Sequence, residues 1–371
     1  MNDRNIFKDS KNPEAIDITG SVVPCLGKDY ITVCLSSSNE YVPFLSVVIN
    51  SIMKNSNPDL AYEVVVLTKD ISDNNKSILT NFVKQAQNFR LRFMNIAEYV
   101  SNKTFYTWAH FTAFTYYRLL IPELFAEYER VLYIDCDVIV NTDISALFQE
   151  DIEGYLLAAV PDTHVMGRTN SSNPAFDPSY YCDVLEVDKT VYFQAGVMLI
   201  NVKEFLARFS AGELLDKSGK VQYRWLDQDF LNVECRGFVK YLPNAWNIMI
   251  INNPKQIDEM YLPDEYYADY IKGRRDPKII HYVGRAIPCF IPHADMYQYY
   301  WPYARTSPYY ELILSKMVSE AEKRMRHQQT LKQRIKAEWV MPVINKLLPP
   351  KTRRRKVLKK IYFKLRGWSL E

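Results

Sequence analysis

Short apolar runs alternate with segments of helical periodicity through the first third of the chain. The runs have the length of buried strands, and they cover residues 30–35, 63–67, 91–93 and 131–134. Between them, apolar residues recur at helical spacing in the segments 43–54, 73–87 and 113–125. Strands that are joined by helices form parallel sheets, and ligands bind beyond the carboxyl ends of such strands. We therefore predict a doubly wound α/β sheet with a nucleotide at its carboxyl edge.

The middle of the chain predicts further elements at wider intervals. Strands are expected at residues 156–160, 192–201 and 278–284. Gly196 interrupts a very apolar run, which indicates close approach of a neighbouring backbone or ligand. Asp227 is expected to cap the helix that follows it.

Asp135 and Asp137 come directly after the predicted strand 131–134. Because side chains alternate along a strand, both carboxylates face the same way as Tyr133. Paired carboxylates at this edge of a sheet suit a hard divalent ion that also binds substrate phosphates. The spacing alone is weak evidence, because residues 227–229 repeat it within this chain. A strand-end pair without a ligand is the alternative.

Composition indicates a folded body with a distinct tail. The chain of 371 residues is 48% hydrophobic and 24% charged, which are globular values. Its net charge of +3 is unevenly distributed: residues 321–371 hold sixteen Lys or Arg against three Glu, a net +13, which leaves −10 for the rest. Such asymmetry is typical of an appended segment with an anionic partner.

Neither secretion nor a disulfide framework is indicated. No stretch of 18 apolar residues occurs, and the first ten residues lack the apolar core of a signal peptide. The six cysteines are widely spaced without a C-x-x-C pair, which argues against a zinc cluster. We therefore expect a cytoplasmic protein.

The tail predicts a basic, amphipathic helix. Leu358, Ile361, Leu365 and Trp368 share one side, and Lys and Arg residues surround the other. This arrangement is typical of helices that lie on anionic lipid, so we expect peripheral attachment to the inner face of the membrane. A solvated helix or a disordered tail is the alternative. Nucleic acid is not expected, because no nucleic-acid-binding fold accompanies the basic run.

Four motifs follow one another along the chain, at residues 132–137, 194–201, 227–232 and 281–284. In this order they resemble the family 8 retaining glycosyltransferases, which include the bacterial lipopolysaccharide galactosyl- and glucosyltransferases and glycogenin. The resemblance covers residues 29–301 and implies a GT-A fold, a Rossmann-like mixed sheet with flanking helices. On this basis we divide the chain into an N-terminal extension (1–28), a catalytic domain (29–310) and a basic helical tail (311–371).

The resemblance also implies roles for individual residues. A Mn²⁺ (or Mg²⁺) ion is expected to be bound by Asp135, Asp137 and His281. Gln228 is expected to lie beneath the anomeric carbon with Asp227 beside it, and these two are the implied catalytic residues. A larger set is expected to contact the donor, a UDP-sugar: Ser38, Tyr41, Arg118, Asp135, Asp137, Asp162, Gln194, Gly284 and Arg285.

Several of these residues have structural alternatives. Taken alone, His281 is a hydrogen-bonded core histidine, Arg118 is an ion-pair partner, and Gln194 satisfies buried backbone groups. The sequence leaves these alternatives open.

Three positions depart from the family pattern. Where relatives have an aspartate before the tyrosine after the first strand, this chain has serines and Glu40. Gln194 stands in place of an asparagine, and Ile287 stands in place of a lysine that binds the diphosphate. Arg285 is the candidate to contact the diphosphate instead, through bidentate hydrogen bonds.

We therefore expect a retaining hexosyltransferase that moves glucose or galactose from a UDP-sugar to a glycan or glycolipid of the cell surface. Because neither Gln228 nor Asp227 is an obvious strong base, we favour front-side displacement, in which the departing phosphate oxygen accepts the proton of the acceptor hydroxyl. Double displacement through Asp162 or Asp227 is the mechanistic alternative. Two other functions remain open: a non-catalytic sugar-nucleotide- or glycan-binding relative, and a nucleotidyltransferase, which would release pyrophosphate.

Overall fold

The structure is a computed structural model. It describes residues 17–18, 22, 30–101, 106, 113–171, 177–251, 261–284 and 286–365, with the backbone alone at 113, 328–337 and 362–365. The chain divides into two compact units, residues 1–314 and 315–371.

The first unit is built on a sheet of eight strands with the order β1-β4-β3-β2-β5-β8-β7-β9. Strands β1 to β5 pair in parallel, whereas β8 runs antiparallel to both β5 and β7. The sheet is therefore parallel on one side and mixed on the other. Its strands are β1 (Asp17–Ile18), β2 (Tyr30–Ser36), β3 (Ala61–Thr68), β4 (Phe89–Asn95), β5 (Arg130–Ile134), β7 (Leu157–Pro161), β8 (Phe193–Asn201) and β9 (Val239–Tyr241).

Both faces of this sheet are covered, which is why its central strands read as continuous apolar runs. Val33 and Leu35 enter one hydrophobic core, whereas Cys34 between them enters the other. Val64 and Val65 divide between the two cores in the same way. The prediction of a doubly wound sheet is confirmed.

A second sheet of three strands has the order β10-β11-β6, with the strands β6 (Val138–Val140), β10 (Ile248–Ile250) and β11 (Ile279–Tyr282). Strand β11 pairs with β6 antiparallel and places His281 opposite Val138. Since β6 begins directly after Asp137, this register brings His281 beside the end of β5. The small sheet therefore assembles residues that are far apart in sequence.

The helices of the first unit connect and cover these strands. They are α1 (Val42–Asn55), α2 (Asp73–Val83), α3 (Ala97–Val100), α4 (Ile121–Leu124), α5 (Ser145–Phe148), α6 (Thr163–Thr169), α7 (Val202–Arg208), α8 (Glu213–Ser218), α9 (Leu226–Glu234), α10 (Asp264–Arg275) and α11 (Tyr297–Ala304). Short 3₁₀ helices cover Asn39–Tyr41, Ala113–Leu120 and Asn244–Trp246, and a π-helical turn covers Tyr180–Val184.

Two helix predictions need correction. Residues 113–125 do not form one α-helix, because Pro122 in the first turn of α4 cannot donate a backbone hydrogen bond to the preceding turn. A 3₁₀ helix therefore precedes α4. Asp227 is not the cap of α9, which begins one residue earlier with Trp225 at the cap position.

The second unit is helical. It contains most of α12 (Tyr310–Ile335), a π-helical turn (Lys336–Val340), α13 (Met341–Leu347) and α14 (Arg353–Leu365). Trp339 and Leu347 are 73% and 74% exposed, and Leu358 and Ile361 are each 49% exposed. The side chain of Leu365 and all of Trp368 lie outside the described residues. Among the described residues, no helix combines the length and the apolarity needed to cross a bilayer.

Candidate active site

The end of strand β5 is held against strand β8. The backbone N–H of Asp135 donates to the carbonyl oxygen of Gly196 at 2.8 Å, one residue beyond the pairing of Ile134 with Val197. The chain then turns through Asp137 into β6. This turn presents both aspartates at the carboxyl edge of the parallel strands, where the sequence placed them.

Asp135, Asp137 and His281 converge, and we call these three residues the metal cluster. Nε2 of His281 lies 3.0 Å from Oδ1 of Asp137 and 3.9 Å from Oδ2 of Asp135. One ligand atom from each residue lies within 4.8 Å of the other two. Burial lowers the pKa of His281, but the carboxylates of Asp137 and Asp135 outweigh it, so the pKa is raised overall. Two carboxylates and an imidazole are a donor set that fits Mn²⁺, and a cation there would offset their paired negative charge.

Gly196 is where the backbone approaches the metal cluster most closely. A Cβ atom at this position would lie 2.4 Å from Cε1 of His281 and 2.6 Å from Oδ2 of Asp135. No side chain fits without displacing one of the two residues. The close approach expected from the sequence is thus present, and the neighbours are the candidate metal ligands themselves.

Arg118 links the metal cluster to the other side of the site. Its guanidinium donates to Oδ1 of Asp135 at 3.0 Å and lies 2.9 Å from Oδ2 of Asp227. It also donates to the carbonyl of Ala195 and lies over the ring of Tyr133, with 4.6 Å to the ring centroid. Burial lowers the pKa of Arg118, but the carboxylates of Asp135 and Asp227 have the larger opposite effect. The pKa is therefore raised overall, and the guanidinium stays charged. Arg118 is therefore an ion-pair partner within the protein.

Asp162, Asp227 and Gln228 form the opposite side, and we call them the amide cluster. Nε2 of Gln228 donates to Oδ2 of Asp162 at 3.0 Å, and its Oε1 accepts from the backbone N–H of Ala195 at 3.1 Å. Leu226, the first residue of α9, has a left-handed φ of 51°. This uncommon conformation for a branched residue marks the sharp turn from which Asp227 and Gln228 follow.

The carboxylates of the amide cluster are already occupied. Oδ1 of Asp162 caps helix α6 by accepting from the N–H of Val165 at 2.9 Å, and its Oδ2 holds Gln228. Asp227 accepts from the hydroxyl of Thr115 and pairs with Arg118. Burial raises the pKa of Asp162 and of Asp227 to about 6 in each case.

Gln194 turns its oxygen toward the protein. Oε1 accepts from the backbone N–H of Gly196 at 2.6 Å and from Nδ2 of Asn247 at 2.8 Å. The side-chain amide thus satisfies a buried backbone group beside the metal cluster. Asn247 in turn contacts Nδ1 of His281 at 3.1 Å.

The remaining candidates lie around this centre. Ser38 precedes the 3₁₀ helix that ends at Tyr41. The pKa of Tyr41 is raised, first by burial and second by the negative charge of Asp137. Gly284 has a left-handed φ of 66° just after β11. Arg285 lies outside the described residues. Ile287 is buried in the core beneath the small sheet.

Sequence reasoning missed three polar residues at this site. Thr115 bonds Asp227, Asn247 bonds His281, and the hydroxyl of Tyr192 lies 3.3 Å from Nε2 of Gln228. Asn247 belongs to no periodic segment, and Thr115 and Tyr192 each sit in an apolar, aromatic run. Among the sequence motifs, only the one that contains Gln194 indicated a site close to any of these three residues.

Comparison with known proteins identifies the family. The model of the glycosyl transferase family 8 matches residues 32–288. This chain belongs to that family. Its large mixed sheet with flanking helices is the GT-A fold, as the resemblance implied.

Three relatives give the scale of the similarity. A putative glycosyltransferase of Haemophilus influenzae is 28% identical over 219 residues, which is 58% of this chain and 63% of that protein. The apo structure of the bifunctional glycosyltransferase WbbM is 29% identical with a TM-score of 0.71, and covers 80% of this chain and 53% of its own. The galactosyltransferase LgtC, solved with donor and acceptor sugar analogues, is 25% identical with a TM-score of 0.56, over 78% of this chain and 95% of its own. The chain thus spans less than two thirds of the first two relatives.

Proposed function

We propose that this protein is a metal-dependent, retaining hexosyltransferase that uses a UDP-sugar and transfers glucose or galactose to a glycan or glycolipid of the cell surface. The observation that carries the proposal is the convergence of Asp135, Asp137 and His281 at the edge of the sheet. It is supported by the likeness to LgtC, a galactosyltransferase whose structure contains donor and acceptor sugar analogues.

The metal cluster would hold Mn²⁺ (or Mg²⁺), which supplies positive charge to the diphosphate as it leaves. Asp135 is positioned for this by two donors, the hydroxyl of Tyr133 at 2.7 Å and the guanidinium of Arg118 at 3.0 Å. Both bonds engage Oδ1, so Oδ2 faces His281 and the space between the ligands.

We propose that the donor lies between the two clusters. Ser38 and Tyr41 would contact the base, and Gly284 and Arg285 the diphosphate, because Ile287 is buried and cannot replace a diphosphate-binding lysine. Gln194, Asp162 and Arg118 would surround the transferred sugar. Since the Oε1 atom of Gln194 is engaged, the Nε2 group is the part of that amide that would face the sugar.

The amide cluster supports front-side displacement over a covalent intermediate. A nucleophilic carboxylate needs a free oxygen at the anomeric carbon, but Asp162 caps a helix and Asp227 is paired with Arg118. The side chain of Gln228 is held by three hydrogen bonds and would stabilise the positive charge that develops on the sugar. The departing phosphate oxygen would take the proton of the acceptor hydroxyl, and the configuration would be retained.

We propose that residues 29–310 carry the chemistry, that residues 1–28 are an extension, and that the basic tail 311–371 attaches the enzyme to the inner, anionic face of the membrane. The exposed apolar side chains of Trp339, Leu347, Leu358 and Ile361 support this role, because they accompany a net charge of +13. No role for nucleic acid is proposed.

A screen of nucleotide sugars tests the proposal. The full chain is incubated with each donor and Mn²⁺, and the released nucleotide is identified by chromatography. We expect UDP from UDP-glucose or UDP-galactose, and no release after chelation of the metal. Release of pyrophosphate would indicate a nucleotidyltransferase instead. Binding of a donor without any release would indicate a non-catalytic relative, a function that the buried Ile287 favours.

A further inference from the structure

We infer that Asn247 and Gln194 are positioning residues that fix the orientation of His281, so that its Nε2 atom is directed to the metal. The inference rests on the metal site of the proposed function. Both residues are buried, with 2% of Asn247 and 7% of Gln194 exposed, and neither lies among the metal ligands.

The direction of the hydrogen bonds is set by a backbone group. The N–H of Gly196 can only donate, so the side-chain atom of Gln194 that lies 2.6 Å from it must be the oxygen Oε1. An oxygen only accepts, so Asn247 must present its NH₂ group to Gln194 at 2.8 Å. The oxygen of Asn247 therefore faces His281.

The orientation of the Asn247 amide also determines which imidazole nitrogen of His281 carries a proton. Oδ1 of Asn247 lies 3.1 Å from Nδ1 of His281, and an oxygen at this position requires a proton on Nδ1. With Nδ1 engaged as a donor, Nε2 is the ring atom that meets Asp137 and Asp135. A histidine that donates one ring N–H to a protein oxygen is the usual arrangement for a metal ligand.

The backbone keeps this chain of bonds in place. Asn247 follows the 3₁₀ helix Asn244–Trp246, and its N–H donates to the carbonyl of Asn244 at 2.9 Å. Strand β10 begins at the next residue and pairs in parallel with β11, which carries His281. The side chain of Asn247 is thus delivered from the residue that directly precedes the strand paired with that of the histidine.

Mn²⁺ binding to the full-length protein tests this inference without turnover or a donor. Free Mn²⁺ is measured by electron paramagnetic resonance during a titration. We expect Asn247→Leu to weaken Mn²⁺ binding by about 10- to 100-fold, the effect typical of losing a partner of a ligating histidine. We expect Gln194→Leu to weaken it less, because Asn247 would keep its contact with His281.

Two matched variants separate positioning from general loosening of the core. Gln194→Glu keeps an oxygen that accepts from both Gly196 and Asn247, so Mn²⁺ affinity is expected to stay at or above that of the wild type. Asn50→Leu removes a buried amide that is 1% exposed and donates to Tyr303 and Thr306, away from the histidine. We expect it to lower the melting temperature without changing Mn²⁺ affinity.

Unchanged Mn²⁺ affinity in Asn247→Leu would overturn the inference, as would an equal loss in Asn50→Leu. If Asn247→Leu does not fold, the two variants Gln194→Leu and Gln194→Glu provide the test. Equal Mn²⁺ affinity of Gln194→Leu and the wild type would then overturn the inference. Absence of Mn²⁺ binding by the wild type is a distinguishable outcome. It would refute the metal site of the proposed function itself, and not only the positioning role of Asn247.

Discussion

The two clusters of the site contain the same residue type in contrasting surroundings. The side chains of Asp135 and Asp137 in the metal cluster are 21% and 16% exposed, whereas that of Asp227 in the amide cluster is 5% exposed. Asp162 accepts hydrogen bonds from Val165 and Gln228, and Asp227 accepts from Thr115 and forms an ion pair with Arg118. Burial raises the pKa of each to about 6. Asp137 instead lies with Oδ1 3.0 Å from Nε2 of His281, close enough for both atoms to bind one ion. Environment therefore divides four aspartates into two that can bind a cation and two that position other groups.

The largest effect is expected from the metal cluster. Asp137→Asn removes one anionic ligand, and loss of roughly 3 kcal/mol of charge stabilisation corresponds to about 100-fold in turnover. The melting temperature should change little, because the side chain lies at the edge of the sheet. The measurement is the rate of UDP release at saturating donor and Mn²⁺. The control is Asp151→Asn, which replaces an exposed aspartate. Unchanged metal dependence of Asp137→Asn would place the ion elsewhere.

Gly196→Ala tests the same cluster through its packing. The added Cβ would lie 2.4 Å from Cε1 of His281, which must move, because a contact this short is not tolerated. We expect Mn²⁺ affinity and UDP release to fall by about tenfold or more, since a misplacement of about 1 Å at a reacting centre has effects up to about 100-fold. Gly154→Ala is a poor control, because Gly154 has a left-handed φ at which any side chain is strained. The control is Ala195→Gly, which relaxes the packing of the same strand. Normal Mn²⁺ binding by Gly196→Ala would contradict the geometry of the cluster.

Gln228→Ala tests the amide cluster. The side chain is held by Asp162 and Ala195 and would stabilise a charge rather than form a covalent bond. We expect turnover to fall by about tenfold, the low end for loss of one polar group that acts in a transition state. The linkage formed from an α-linked donor should remain α by NMR. A β-linked product would exclude retention.

Asp162→Asn tests the electrostatic difference between the two clusters. The pKa of Asp162 is raised to about 6 in the folded protein from about 4 in the unfolded chain, so the native state holds the proton more tightly. This contribution therefore stabilises the fold by roughly 3 kcal/mol below pH 4 and is lost as the pH rises through 6.

Urea unfolding of the wild type and Asp162→Asn at pH 4.5 and pH 7 measures that contribution. The wild type is expected to lose more stability than the variant over this interval, because asparagine does not ionise. An identical pH dependence of the two proteins would show that the carboxyl group of Asp162 has an ordinary pKa.

The smallest effect on the site is expected from removing the tail. A variant that ends at Ser319 retains Ile313, the last described residue of the core beneath the small sheet, and loses residues 321–371 with their net charge of +13. Donor hydrolysis should be unchanged, whereas binding to vesicles of anionic phospholipid should be lost. Each Lys or Arg near the surface contributes roughly 1 kcal/mol, and salt screens this term. Equal vesicle binding with and without the tail would refute the role proposed for it.

The metal cluster could be predicted from the sequence to a greater extent than its supporting residues. Asp135 and Asp137 follow a strand that reads clearly, and alternation fixes the face that they share. His281 needed the resemblance, because its place opposite Val138 depends on the pairing of β6 with β11, which no local pattern encodes. Asn247 was not predicted, since it lies between a 3₁₀ turn and a three-residue strand with no periodicity of its own.

The amide cluster shows a second reason why sequence reasoning falls short. The acidic residue before a helix predicted a cap at Asp227, but a buried guanidinium competes for that carboxylate. Arg118 takes Asp227 as an ion-pair partner at 2.9 Å, and the helix starts at Leu226 without a side-chain cap. A tertiary ion pair of this kind is invisible to local propensity. The sequence offered Arg118 as an ion-pair partner but could not name its partners, which are Asp135 and Asp227.

We expect the metal cluster to bind a cation that in turn binds the diphosphate of the donor. Calorimetric titration of UDP into the full chain, with and without Mn²⁺, tests this expectation. We expect Mn²⁺ to strengthen UDP binding by about tenfold or more, which is about 1.4 kcal/mol, and we expect Asp137→Asn to abolish the difference. UDP binding of equal affinity in the presence and absence of Mn²⁺ would contradict the account.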